Sequence, residues 1–292
     1  MAVKTVKFGG SSLCNAENFT KVKNIILADK ARKYVVPSAP GKRFPSDEKI
    51  TDLLYLCYAK NSNGLSFDDT YELITERYVG IETELGLKTN IALELSAIKK
   101  NILTGASEDY IASRGEYLSG LLLADYLGFD FYDAAELISF HADGTYDDET
   151  TQKWTQKLAE TQNVVVPGFY GRKRDGSIKT FSRGGSDITG AIVARAVQSD
   201  VYENWTDVSG FLMADPRIVE NPKVISVVTY SELRELSYMG ATVLHEDSIF
   251  PVRRAQIPIN VRNTNRPEDE GTMVIPDAFL KYYKRDGVLT GV

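Results

Sequence analysis

Three short stretches of the sequence bring together a cation, turn-forming glycines and hydroxyl or carboxylate side chains. In "VKFGGSSL", Lys7 and Phe8 lead into Gly9-Gly10, and Ser11-Ser12 follow. In "FSRGGSDITGA", Arg183 stands directly before Gly184-Gly185, and Ser186-Asp187 come after. In "WTDVSGFLMADPR", Thr206 and Asp207 precede the turn at Gly210, and Arg217 closes the stretch. The chemistry such residues share is anion binding. Glycines let backbone N–H groups converge on an anion without Cβ obstruction. A helix that begins just after them aims a dipole worth about half a unit charge at the same place. Lysine adds a mobile charge, and arginine grips a carboxylate or phosphate with two parallel hydrogen bonds.

Each stretch also has a plainer reading. The first is a strand ended by a glycine turn, with Ser or Asn capping the next helix. Asp187 is in the position of an ordinary helix N-cap, and Ser-Gly and Asp-Pro are common turn signals. The Walker A string G-x-x-x-x-G-K-[ST] does not occur, which excludes a P-loop enzyme. Two loops built as cation-then-diglycine, both at strand-to-helix turns, together favour an anion-binding cleft.

The elements that would position these loops alternate between apolar runs and helical patterns. "VKTVKF" and "YVVPSA" read as buried strands around the helix "AENFTKVKNIILADKA". From about Ile50 to Leu127 apolar residues recur three or four apart, which predicts several helices. "DFYDAAELI" resumes the strand pattern, "TTQKWTQKLAET" is a polar helix, and "NVVVPGFYG" with "SIKTFS" brackets a hairpin tip at "RKRDG". "GGSDITGAIVARAVQ" opens a helix from a glycine turn, and "DVYENWTDV" is the next strand. "TYSELRELSYMGATVLHEDSIF" is one helix or a pair, and "IPINVRNT" and "GTMVI" close as strands. This alternation predicts an α/β fold, a three-layer αβα sandwich around a mostly parallel sheet. We expect one domain over 1–292 with two lobes, 1–195 and 196–292. Ligands of such sheets bind beyond the carboxyl ends of the strands.

Composition excludes several classes. Net charge is −6 and no broad basic stripe exists, so nucleic acid is not an expected partner. The chain has two cysteines and two histidines without metal-ligand spacing, which offers neither a disulfide framework nor a zinc site. No apolar run is long enough for a membrane span, and the N-terminus lacks a signal-peptide pattern, so the expected location is the cytoplasm.

Taken together, "KFGGSS", "SAPGKR" with "TDLL", "SRGEYLSG", "PGFYG", "FSRGGSDITGA", "WTDVSGFLMADPR", "MGATVLH" and "RNT" resemble the aspartate kinases of the amino-acid kinase superfamily. The segments occur in the family's order and span nearly the whole chain. The resemblance implies ATP-dependent, Mg²⁺-assisted phosphorylation of the β-carboxylate of L-aspartate, the entry to lysine, threonine and methionine synthesis. Alternatives are a related kinase with another acceptor such as glutamate, or a weakly catalytic ATP- and amino-acid-binding module.

Carried over by motif, Lys7, Phe8, Gly9 and Gly10 form the nucleotide-phosphate loop. Thr51, Glu116, Arg183, Gly184, Gly185 and Ser186 match substrate-binding positions. Thr206, Asp207 and Arg217 match the nucleotide side, and Asp187 orients Lys7 or a metal-bound water. Glu116 would meet the substrate ammonium, although by itself it reads as a helix-face salt bridge. Thr51 opens its helix, where Thr is a common cap. A β-carboxylate is ionised at neutral pH, with a reference pKa of about 3.9, and needs no general base. The family often carries lysine where this chain has Thr242, and tyrosine where it has Leu212. Its members usually continue into regulatory ACT modules, which the sequence is expected to lack. A homo-oligomer is compatible with all of this.

Overall fold

In the computed structural model, the described residues are 2–182, 184–214, 218–220, 222–238, 244 and 246–284. Two of the site residues expected from the sequence, Arg183 and Arg217, lie outside them, as does Thr242.

β1 (Lys4–Phe8) is the strand on which the rest is organised. It pairs in parallel with β2 (Arg32–Pro37) on one side and with β8 (Val201–Thr206) on the other. Beyond β2 lie the two-residue strands β5 (Val164–Val165) and β3 (Asp130–Phe131). Beyond β8 lie β10 (Ile259–Asn263), β11 (Thr272–Ile275) and β9 (Val227–Thr229). Only β10 and β11 run antiparallel in this sheet of eight strands. The chain moves from β1 outward through β2, then returns to the other side of β1 with β8. The direction of winding therefore reverses between β1 and β8, and the crevice at their carboxyl ends is where an α/β sheet admits ligands.

The two-residue period of the strands decides which layer each side chain enters. Val6 and Phe8 of β1 and Val35 of β2 face a large core with α1 (Ala16–Leu27), α2 (Ile50–Ser62), α3 (Asp68–Leu85), α4 (Ile91–Leu103) and α5 (Glu108–Leu127). Tyr34 and Val36 face the opposite layer, where they meet Ile192 and Val193 of α7 (Gly185–Ala196). Lys7 follows the parity of α7's layer and Phe8 the parity of the other. A third apolar cluster, from Ala191 to Val274, packs the strands beyond β8 against α8 (Tyr230–Tyr238) and α9 (Phe250–Arg254). The smaller helix α6 (Asp148–Thr155) lies beside α7, tied to it by Arg195 and Asp148 at 2.8 Å.

β4 (Ser139–Phe140), β6 (Tyr170–Lys173) and β7 (Ile178–Thr180) make a separate sheet of three strands. β6 and β7 form the hairpin expected around "RKRDG". Its tip is anchored from outside, since Arg174 reaches Asp147 at 3.4 Å. The stretch "DFYDAAELI" pairs only at Asp130–Phe131. Asp133 then accepts the Ala135 N–H and turns the chain into a 3-10 helix, ending the strand early.

Candidate functional site

Lys7, the last but one residue of β1, sends its side chain toward the start of α7. There its Nζ lies 2.6 Å from Asp187 Oδ1, and both side chains are mostly buried. The same oxygen accepts a 2.8 Å hydrogen bond from Asn204 Nδ2. Asn204 is the residue of β8 in register with Lys7, so adjacent strands place cation and amide side by side. Asp187 is not the helix cap. Gly184 takes the N-cap position, in the left-handed region at φ 55°, where a glycine is nearly free of strain. Asp187 is the third helical residue, which leaves its carboxylate to face the strands.

The glycines after Lys7 bring two loops into contact. A Cβ at Gly10 would stand 2.7 Å from the Ala39 carbonyl oxygen, and one at Gly41 would stand 2.8 Å from the Gly10 carbonyl carbon. The Gly41 N–H donates to Gly10 O at 2.7 Å, which locks the loop after β1 to the loop after β2. The 39–49 loop is pinned at its far end too. Arg77, deep in α3, reaches Asp47 at 2.7 Å and Gly41 O at 2.9 Å, and Arg43 grips both oxygens of Asp47. Arg43 and Arg77 hold the Asp47 carboxyl well below the usual carboxylate range.

Phe8 departs from its expected place in a phosphate loop. Its ring is fully buried and stacks on Trp205 with centroids 6.0 Å apart, so only its backbone borders the crevice. Gly9 has its N–H bonded to Trp205 O at 3.0 Å.

Glu116 projects from α5 toward the same crevice. It is 5% exposed, lies beside the Ala39 backbone, and leaves Oε2 without a partner. Burial pushes its carboxyl up to about 8, against the lowering pull of the Ala39 N–H and of Arg114 and Lys7. This is not a helix-face salt bridge. It is a buried acceptor with spare capacity, held beside a loop that Gly10 and Gly41 also line. Thr51 does not open its helix. Lys49 is the N-cap and Thr51 the second helical residue of α2, half-buried, near the same loop. Ser38 donates its N–H to Phe8 O at 3.1 Å and lies between these groups.

On the β8 side, Thr206 ends the strand and is half-buried. Asp207 is exposed and accepts the Thr206 hydroxyl at 3.1 Å. Ser12 and Thr264 share a buried 2.7 Å hydroxyl contact, which joins the loops after β1 and β10. Leu212 is exposed and bridges to Val224. Gly185 and Ser186 are buried in the first turn of α7. The loop before the hairpin packs onto that turn, with Phe169 held at φ 82°, a sparsely populated conformation for a bulky residue.

The structure thus brings together Lys7, Gly9, Gly10, Glu116, Gly184, Gly185, Ser186, Asp187 and Thr206 around the carboxyl ends of β2, β1 and β8. Asn204 is not among the residues that the sequence motifs single out. The signal for Asn204 was a polar amide in the middle of an otherwise buried strand.

The family model described as the amino acid kinase family matches residues 3–263. Aspartokinase 3 of Bacillus subtilis is 38% identical over 288 residues, covering 94% of this chain and 63% of that protein. Among solved structures, the aspartate kinase of Clostridium acetobutylicum superposes with a TM-score of 0.90 at 55% identity, covering 95% of this chain and 63% of that one. E. coli aspartokinase III in complex with aspartate and ADP superposes with a TM-score of 0.82 at 27% identity, covering 94% of this chain and 64% of that one. The chain therefore spans a little under two thirds of the length of these three relatives.

Proposed function

The chain belongs to the amino acid kinase family, and we propose that it transfers the γ-phosphoryl group of ATP to the β-carboxylate of L-aspartate, giving 4-phospho-L-aspartate. The observation that favours an amino-acid acceptor is Glu116, and the choice of aspartate over glutamate follows the sequence pattern. A buried carboxylate with a free oxygen is costly unless it is paired, and an α-ammonium group supplies the missing partner. The family's phosphoryl acceptors that lack an amine would leave that oxygen unsatisfied.

In this reading Lys7 neutralises charge on the phosphoryl group as it moves between two anions, which is most of what such a reaction asks of a protein. Asp187 fixes Lys7 in place. Gly9 and Gly10 border the nucleotide phosphates, and Thr206 and Asp207 the nucleoside side. Gly184, Gly185 and Ser186 present the positive end of α7 to the acceptor. Arg183 is assigned the acceptor α-carboxylate and Arg217 the nucleotide from the sequence pattern. The acceptor belongs with residues 1–195 and the nucleotide with 196–292, apart from the loop after β1.

Among the described residues, no three His, Cys, Asp or Glu side chains converge. A Mg²⁺ ion would accordingly be held mainly by nucleotide phosphate oxygens, with Asp187 the nearby carboxylate, and would neutralise phosphate charge. No helix among the described residues is long and apolar enough to cross a membrane. The same reading makes it a cytoplasmic enzyme at the entry to lysine, threonine and methionine synthesis; the relatives' names support the aspartokinase part of it.

The test is acyl-phosphate formation from Mg-ATP, trapped with hydroxylamine, across a panel of acceptors. Aspartyl hydroxamate is expected, with glutamate a poor acceptor. Hydroxamate from glutamate alone, or from neither, would reject the assignment.

A further inference from the structure

The interior of a parallel strand covered on both faces is normally apolar. Asn204 is 3% exposed and stands in the middle of β8, in the layer that Tyr34, Val36 and Ile192 fill with hydrocarbon. An amide buried there costs free energy unless its polar atoms are used. Its Nδ2 is used on Asp187 Oδ1, at 2.8 Å, the oxygen that Lys7 also contacts. Carboxylate oxygens only accept, so the nitrogen must be the atom that faces Asp187.

Two residues back on the same face of β8, the Tyr202 hydroxyl donates to Asp187 O at 3.2 Å. One strand face therefore holds both the backbone and the side chain of Asp187. Lys7 reaches the carboxylate from β1, Tyr202 contacts the Asp187 backbone, and Glu116 of α5 is the further ionisable group that acts on Lys7.

We propose that Asn204 is a positioning residue for phosphoryl transfer. It fixes the Asp187 carboxylate so that Lys7 keeps its remaining N–H groups directed at the transferring phosphoryl group. The proposal rests on the reaction assigned above. A carboxylate with two donors on one oxygen has a single preferred orientation. With only the ammonium present it can turn with Lys7, and the pair is free to collapse on itself. Such a loss of orientation acts on the transition state more than on binding.

The experiment compares Asn204→Leu, Asn204→Ser and Asn204→Asp with the wild-type protein in the hydroxylamine assay, across mildly acidic to mildly alkaline pH. In Asn204→Leu and Asn204→Ser, kcat is expected to fall by about tenfold to a hundredfold, with the aspartate KM nearly unchanged. Asn204→Asp places a second carboxylate beside the first, which raises the pKa of the pair. Its protonated form supplies a donor in place of the amide. Activity of that variant is therefore retained at acid pH and lost as pH rises through the raised pKa, a limb the wild type lacks.

An unchanged kcat in all three variants, or a wild-type pH profile in Asn204→Asp, overturns the proposal. So does a loss traceable to unfolding alone in Asn204→Leu while Asn204→Ser stays fully active. If the wild type forms no aspartyl hydroxamate, the acceptor assignment fails instead. Asn204 is then judged by a crystal structure of Asn204→Ser, where an Asp187 carboxylate still in its wild-type orientation on Lys7 overturns the positioning role.

Discussion

Among the described residues two glutamates are buried, Glu203 and Glu116, and their surroundings push them in opposite directions. Glu203 lies on the α1 side of β8, with its side chain 1% exposed. Its Oε2 accepts from Arg32 Nε at 2.8 Å and Trp205 Nε1 at 2.8 Å, and its Oε1 accepts from Lys4 Nζ at 3.0 Å and Arg32 at 3.3 Å. Burial alone would raise its pKa, but Arg32 and Lys4 outweigh that and keep it below the ordinary value. Glu116 is as deeply buried, with one oxygen empty and its carboxyl raised to about 8. The saturated carboxylate binds together β1, β2 and β8, and its partner Arg32 extends the tie to α1 through Ile25 O. The unsaturated one remains receptive to a cation that the protein itself does not provide.

The sharpest test of this contrast is on the reacting cation rather than on either glutamate. Lys7→Ala is expected to reduce turnover by about 10²–10⁴, with a smaller loss of stability than in Glu203→Gln because Asp187 keeps its Asn204 partner. Unchanged kinetics would move Lys7 to the structural side of the comparison. Glu203→Gln should do the reverse. Leaving Arg32 and Lys4 buried without their counter-charge is expected to destabilise the fold by about 3–5 kcal/mol, read by denaturant unfolding. Kinetics at a temperature where the variant is folded should stay near wild type.

Glu116→Gln should raise the aspartate KM by about tenfold to a hundredfold, the loss of one charge-assisted hydrogen bond. It should also make the protein more stable at alkaline pH. The fold keeps a proton on Glu116 that the unfolded chain has released, so its burial counts against stability progressively as pH rises toward about 8. The penalty builds from the unfolded glutamate pKa of about 4.3 up to about 8. The glutamine variant lacks that dependence, and melting curves at mildly acidic and alkaline pH measure it. By the same charge argument, wild-type aspartate affinity should rise as pH increases through about 8, when Glu116 becomes an anion. A flat profile would mean that Glu116 does not meet the ammonium. The smallest effect is expected for Thr51→Ala. Losing one neutral hydrogen bond of about 0.5–1.5 kcal/mol should raise the aspartate KM a few-fold and leave the nucleotide KM unchanged.

Local chemistry made much of the fold legible. Alternating apolar runs and helical spacing announced the parallel sheet and its helical layers, because both periodicities are properties of short segments. Gly184 as the start of α7 and the hairpin at "RKRDG" followed from turn preferences. Where a competing local interaction intervened the reading overshot, as at Asp133, whose side chain captures a backbone N–H and ends β3 after two residues. Thr51 reads as a cap by residue type, yet the cap position falls to Lys49, since the Ile50 N–H is bonded to Pro40 O.

The sequence by itself determined which loops are rich in glycine and charge, and in which order they occur along strands and helices. It could not say that Phe8 turns away from the crevice while Lys7 enters it. That depends on which face of β1 meets α7, and a period of two fixes alternation without fixing its sign. Nor could it join Lys7 to Asp187 and Asn204, which meet only because β1 and β8 are paired in register and α7 crosses above them. The unmatched oxygen of Glu116 is likewise a tertiary fact. Almost every side of the middle of α5 is buried, so no pattern within the helix distinguishes a carboxylate with a partner from one without. Partnership is set by the loop from another part of the chain that packs against it.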